Sequence, residues 1–570
     1  MIAPLSQTAG FFVIAQDRLA TDASGDLLTA RVDIPAEHLE PGPRGARFHV
    51  VDYDTSTGTL EPQVQVSPDS PKRDPLKSRQ PARLVRDPKV RAKNVYVIAA
   101  RTLSIFEAAL GRRLPWAFGG HQLYLIPRAF PEANAYYDPD NGAILFGYLP
   151  GGSDGEIQTA LSHDVVAHET AHAVLDGMRP RYSEPALPDQ DAFHEALGDI
   201  VALFSVFSLR AVVENLLERE RTPKRNISAQ RLTAKALGET ALFALAEELG
   251  EAISGERGSA LRRTAESPPP ENWAKLDAFL EPHRRGEVVV ASLMEAMLGI
   301  WVARLQPLLL SGEADRGRVA EEGAKAADHL LRMTIRGIDY MPPIELEFAD
   351  VLEAILKADE VVSPEDEHDY RGAVRSAFAR YGVIPSRIGL DLDLEVAQGL
   401  RPVPAYERMN YEALRSDPDE LFRFVWDNAE AFAINRDFRV HVDALHPSVR
   451  VGPDGLVVPE VIADYVQTLE LTAGELKSKA GWRSLPRGLP PSTPIKLLGG
   501  GVIVFDQFGR AKLQFSKPLD DWSRQRRRLE YLVSRNLGDR GGRFGFSYSL
   551  PKGQRFALLH RSDHRAEEDW

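Results

Sequence analysis

The sequence predicts an α+β protein, helical at its centre and strand-rich towards its ends. Three observations carry that expectation. Residues 1 to about 83 alternate short apolar and polar runs, as in LLTARVDI and ARFHVVDYD, which is the period of strands. From Asp87 to about 388 apolar residues recur mostly at helical spacing. Residues 389 to 570 mix helical segments such as PDELFRFVWDNAEAFAI with strand-like pieces such as GGGVIVFDQFGRAKLQFS. These shifts divide the 570 residues into a β-rich N-terminal region with a linker (1–87), a central unit (88–388) and an α+β C-terminal domain (389–570).

Composition narrows the function classes. With 43% hydrophobic and 26% charged residues, the balance is that of an ordinary soluble globular chain. A formal net charge of −13 argues against a general nucleic-acid binder, because phosphate contacts need clustered Lys and Arg. The sequence has no cysteine, so disulfides and thiolate metal sites are excluded and any metal must be held by His and carboxylates. The N-terminal run MIAPLSQTAGFFVIAQDRLA lacks the basic start and apolar stretch of a secretory signal. No run of about 18 apolar residues marks a membrane span. The expectation is a cytoplasmic protein with neither nucleic acid nor membrane among its partners, and the sequence sets no oligomeric state.

The elements follow in order. PDSPKRDPLKSRQPARL (68–84) is Pro-rich and basic, a linker or a wrapped surface loop. A long helix begins at Asp87, with Val90, Val95, Val97, Ile98, Leu103, Phe106 and Leu110 as its apolar stripe. HQLYLIPRAF and NAYYDPDNGAILFGY (134–148) are strand-like, and DPDNG is a turn. VVAHETAHAVLDG (165–177) is a buried helix and DAFHEALGDIVALF (191–204) an amphipathic one. A helical lobe continues from about 205 to 388, interrupted by the Pro-rich SALRRTAESPPPENW (259–273) and resumed by EPHRRGEVVVASLMEAMLGIWVARL (281–305). Within the C-terminal domain, GGG at 499–501 is followed by no Lys-Ser/Thr, which speaks against a phosphate loop. VIVFDQFGRAKLQF instead predicts a hairpin turning around 507–509. RQRRRLEYLVSR (524–535) is basic with an apolar stripe, and a solvated helix face is expected of it.

The chemistry concentrates in the two helices of 165–177 and 191–204. His168, Glu169 and His172 spell H-E-x-x-H. Residues four apart on a helix share a face, so two imidazoles so placed can bind one Zn²⁺ at roughly 2.0–2.1 Å per nitrogen. Glu169 then leans towards the open position of the metal, where a carboxylate can take a proton from water. Two core histidines and a surface Glu are the plain alternative for a pentapeptide this short. The second helix shifts the balance, because Glu195 completes a His₂Glu set and Asp199, one turn on, can accept the other ring N–H of a ligating His. Apolar neighbours Ala192, Phe193, Ala196, Leu197, Ile200 and Val201 argue against a solvated face there. Asn134, Ala135 and Tyr136 stand on a strand just before the metal helix, where an extended peptide can pair with the backbone; an ordinary sheet edge is the alternative. Tyr182 lies in the loop between the two helices and His283 at the start of the 281–305 helix. A loop tyrosine packing its ring and a surface histidine are the plain readings of those two.

Taken together, residues 88 to 388 resemble thermolysin-like peptidases of the gluzincin class. NAYY (134–137) resembles the Asn-Ala-aromatic edge strand that holds substrate backbone in that family, HETAH with Asp176 resembles its zinc helix, and HEALGD (194–199) resembles its N-E-x-x-x-D helix. The resemblance implies a catalytic core of an edge-strand sheet lobe and a helical lobe, and one zinc per chain on His168, His172 and Glu195. It implies Asp199 behind one of the ligating histidines, Tyr182 and His283 as oxyanion stabilisers, and Arg262, with Arg263 the fallback, as the substrate-carbonyl ligand in ALRRTAESP. Peptides or proteins would be the substrates. The departures are His194 in place of the family's Asn, shorter spacing around Arg262 and His283, the missing secretion signal and long propeptide, and an acidic calcium pattern that is not convincing, which leaves Ca²⁺ doubtful. The Gly-x-Met-Glu-Asn motif of gluzincin aminopeptidases is missing, so an endopeptidase is expected. The alternative is a non-catalytic zinc-containing binding or regulatory protein acting through its terminal domains.

Overall fold

The structure is a computed structural model that describes residues 7–16, 20–22, 24–77, 83–84, 86–152, 155–218, 226–239, 264, 268–310, 312–452 and 455–535. It mixes helix and strand in the α+β manner. Strands β1 (Thr8–Ile14) and β2 (Thr29–Pro35) pair antiparallel with Phe11 opposite Val32. Phe11, Val13, Val32 and Ile34 turn inward on alternate positions, as the period of the sequence requires. β3 (Phe48–Val50) leaves this ribbon, and β4 (Tyr53–Asp54) and β5 (Thr59–Leu60) form a small hairpin behind it.

The strands that matter for the site come next. β6 (Leu123–Phe130), β7 (Ala135–Asp138), β8 (Ala143–Gly152) and β9 (Gly155–Gln158) join β3 in one sheet of order β3-β6-β8-β7, with β9 also on β8. β3 and β8 run parallel to β6, whereas β7 runs antiparallel to β8 and closes the sheet as its edge. β3, which precedes residue 87 in sequence, thus shares a sheet with four strands that follow it. The β7–β8 turn is the DPDNG segment, where Asp138 accepts the amides of Asp140 (3.0 Å) and Asn141 (3.3 Å) and Gly142 takes φ 59°.

Helix α1 (Pro88–Leu110) starts as its sequence predicts: Asp87 caps the Lys89 amide at 2.9 Å and proline occupies the first turn. It stops at Gly111 in the left-handed region, φ 67°, where a Cβ would meet the Val449 carbonyl at 2.1 Å. The helical lobe comprises α2 (His163–Met178), α3 (Pro188–Phe207), α4 (Arg210–Glu218), α5 (Pro282–Leu305), α6 (Arg316–Ile338), α7 (Phe348–Val362) and α8 (Tyr370–Arg380), with a short ribbon of β10 (Asn226–Ser228) and β11 (Glu313–Asp315). α5 crosses α3 closely, since a Cβ at Gly286 would lie 2.9 Å from the Ala192 carbonyl. The stretch Pro282–Leu309 is the one helix among the described residues long and apolar enough to cross a membrane, but 72% of its most apolar window is buried inside the protein, as in a core helix.

The C-terminal sheet has the order β12-β16-β15-β14-β13, all antiparallel, formed by β12 (Gly389–Asp391), β13 (Arg439–Val451), β14 (Val457–Thr472), β15 (Pro494–Phe505) and β16 (Ala511–Lys517). Its two faces explain the continuous apolar runs of the sequence. Ile462, Val502, Val504, Leu513 and Phe515 join the core of the helical lobe, while Val461, Ala463, Tyr465, Ile503 and Phe505 pack on Leu414, Leu421, Phe424 and Phe432 on the other side. Buried charges also span this junction: Arg450 sits between Asp339 (2.8 Å) and Glu460 (2.9 Å), and Arg179 at the end of α2 pairs with Asp464 on β14. The last described helix, α9 (Trp522–Ser534), corrects one expectation. Only one side of it is solvated, with Arg527 and Glu530 exposed; on the other Arg524 and Arg528 are buried, and their side chains reach Glu345 at 2.6 and 3.3 Å.

Candidate metal centre

α2 is buried along nearly its whole length, so its polar side chains need partners inside the protein. His168 and His172 meet on one face with Nε2 atoms 2.9 Å apart. α3 packs against that face and brings Glu195 Oε2 to 3.7 Å from His168 Nε2 and 3.8 Å from His172 Nε2. One ligand atom from each of the three lies within 4.8 Å of the others, and all three residues are buried. Two ligands bound tetrahedrally at about 2.0–2.1 Å stand about 3.3 Å apart. The observed 2.9, 3.7 and 3.8 Å bracket that spacing, so the donor set fits a small tetrahedral cation. His and carboxylate donors of this kind suit a divalent transition-metal ion, zinc among them.

The surroundings are anionic. Asp199 Oδ1 lies 3.1 Å from His168 Nδ1, and Glu169 is wholly buried beside the group. Burial alone would lower the His168 pKa, but hydrogen bonds to Asp199 and Glu195 and the charges of Asp199 and Glu169 override it and raise it to about 10. Three carboxylates around two imidazoles thus form a site that favours positive charge.

Several further contacts build the centre. Glu169 Oε2 accepts the Tyr137 amide of β7 at 2.9 Å, and the Tyr137 hydroxyl donates to Asp176 Oδ2 at 3.3 Å. His194 Nδ1 stands 2.9 Å from His172 Nδ1. His283, delivered by the close α3–α5 crossing, puts Nδ1 at 3.3 Å from Glu195 Oε2. Gly198 on α3 gives His168 its room, since a Cβ there would fall 2.6 Å from the imidazole Cε1.

The other expected residues divide. Asn134, Ala135 and Tyr136 lie on or just before the edge strand β7. Asn134 Oδ1 accepts the Ala135 amide at 2.8 Å, and the Tyr136 ring stacks on Phe130 at 5.5 Å. Tyr182 is buried beside Phe193, and its hydroxyl donates to the Pro342 carbonyl at 2.8 Å. It stands in the short helical turn Pro180–Ser183. Arg262 and Arg263 lie outside the described residues. Thr264, just after them, donates to Glu287 at 2.6 Å on α5.

Sequence reasoning missed the Tyr137 amide, Gly198 and the His172–His194 contact. Only the last carried a sequence signal, the unusual His directly before Glu195. Compared with known proteins, the chain matches no family model and no curated protein, so the case for function rests on this geometry.

Proposed function

We propose that the protein is a zinc-dependent metalloendopeptidase of the thermolysin-like kind. The observation that carries the reading is the convergence of His168, His172 and Glu195 on one point, with the buried carboxylate of Glu169 beside them and tied to an edge strand. A metal held only for structure has no use for such a carboxylate.

Zinc, when bound, supplies a Lewis acid that acidifies water and polarises a carbonyl. Glu169 takes the proton of the attacking water and passes it to the leaving amine, and the Tyr137 amide fixes its orientation for both transfers. His283 stands beside Glu195 and stabilises the oxyanion that develops on the scissile carbonyl. Tyr182 takes no part in this account, and Arg262 remains the residue assigned to the substrate carbonyl. The outward amides of Ala135 and Tyr137 are already answered by Asn134 and Glu169. An extended substrate adding to β7 therefore contributes its own N–H groups to the carbonyls facing the same way.

The test compares wild type with Glu169→Gln for zinc content and for cleavage of a mixed peptide library. One zinc per chain in both, with cleavage by wild type alone, supports the proposal. Equal zinc with no cleavage by either favours the alternative, a zinc-holding binding protein.

A further inference from the structure

The two ligand histidines are held from behind by different chemistry. His168 faces a carboxylate, Asp199, at 3.1 Å, whereas His172 faces another imidazole, His194, at 2.9 Å between Nδ1 atoms. The contact is buried, with His172 fully enclosed and His194 4% exposed. The His172 Nε2 atom points to His168 and Glu195, so a metal there needs its lone pair. A neutral imidazole carries one N–H, which must then lie on His172 Nδ1. At 2.9 Å the atom it meets must accept, so the proton of His194 belongs on Nε2.

We infer that His194 is the positioning residue of the second metal ligand: a neutral ring that accepts the His172 Nδ1–H and holds His172 in the tautomer that binds metal. This rests on the proposed zinc centre. A neutral acceptor also suits the place better than a carboxylate would. Three carboxylates, the buried Glu169 and Glu195 and the partly exposed Asp199, already surround the two imidazoles, and a neutral ring adds no further charge to desolvate. The assignment makes the two ligands unequal, because a hydrogen bond to a charged acceptor is about twice as strong as one to a neutral acceptor.

The test measures zinc affinity of wild type, His194→Leu and His194→Asn by competition with a chelating dye, together with the visible spectrum of the cobalt-substituted proteins. Leu fills the space without accepting, while the Asn side-chain oxygen can accept. The Leu variant is expected to bind zinc about 10–100-fold more weakly and to shift the cobalt bands, with the Asn variant close to wild type. Melting of the metal-free proteins identifies any loss of fold, and the Asn variant then decides. A Leu variant that binds as tightly as wild type overturns the inference, and so does equal loss in Leu and Asn. A wild type that takes up no stoichiometric zinc overturns the metal reading itself, which is a different result.

Discussion

At Gly198 two local effects oppose each other. Alanine in a helix interior is favoured over glycine by about 1 kcal/mol. Yet its Cβ would fall 2.6 to 2.8 Å from three atoms of the His168 ring, so the ring must move. Gly198→Ala is expected to melt no lower than wild type in the metal-free form while binding zinc at least about tenfold more weakly, by chelator competition. Unchanged affinity would show that His168 has room the structure denies it. Asp199→Asn tests the other side of the same ring, with an expected 10–100-fold loss of zinc affinity and little change in metal-free melting. These residues also show which part of the centre was legible. Ligand types at helical spacing, as in His168, His172 and Glu195, announce a shared face. Gly198 and the Tyr137 amide announce nothing, because their roles come from how α3 and β7 lie across α2. Tyr182 shows a related limit: its position in a loop gives no direction to its hydroxyl, which donates to the Pro342 carbonyl here.

At the level of elements, the β7 edge makes a directional claim. If substrate adds as a strand through its own N–H groups, N-methylation of one or two substrate amides near the cut site should raise KM about tenfold or more, and methylation elsewhere should not. A substrate series insensitive at every position would remove β7 from the mechanism. A second prediction concerns the end of α2. Arg179 is buried against Asp464 and also donates to the Ile338 and Asp339 carbonyls. Asp464→Ala would leave that cation without its carboxylate, and a loss of about 3–5 kcal/mol is expected by chemical denaturation. A loss under about 1 kcal/mol would mean the carbonyls suffice. The elements themselves were mostly readable where local rules decide them, as in the Asp87 cap and the Gly142 turn. The α9 surface was not, because its arginines find Glu345 across nearly two hundred residues.

Over the whole molecule, the N-terminal strands, the helical lobe and one face of the C-terminal sheet share one core. Composition changes along the chain mark where patterns shift and not which faces meet, so this shared core is not legible in them. Acid should test this shared core. His163 opens α2 fully enclosed, and burial with the nearby Arg101 pushes its pKa down to about 3. A lowered histidine stabilises the fold fully above its unfolded value of about 6.5 and loses that contribution as pH falls towards 3. Asp464 acts the other way: burial raises it to about 6 against the pull of Arg179, so its contribution is full below about 3.9 and fades as pH rises through 6. Between about pH 6 and 4 the two slopes oppose and largely cancel, so His163→Leu should tilt the profile towards greater stability in acid than wild type shows, by a few kcal/mol between pH 6.5 and 4. An unchanged slope in denaturant titrations would contradict this. The central claim, however, is the metal centre. Anomalous diffraction at the zinc absorption edge, on crystals of the zinc-loaded protein, tests it most directly. The account predicts one strong peak within bonding distance of His168, His172 and Glu195; a strongest peak elsewhere, or none, would contradict it.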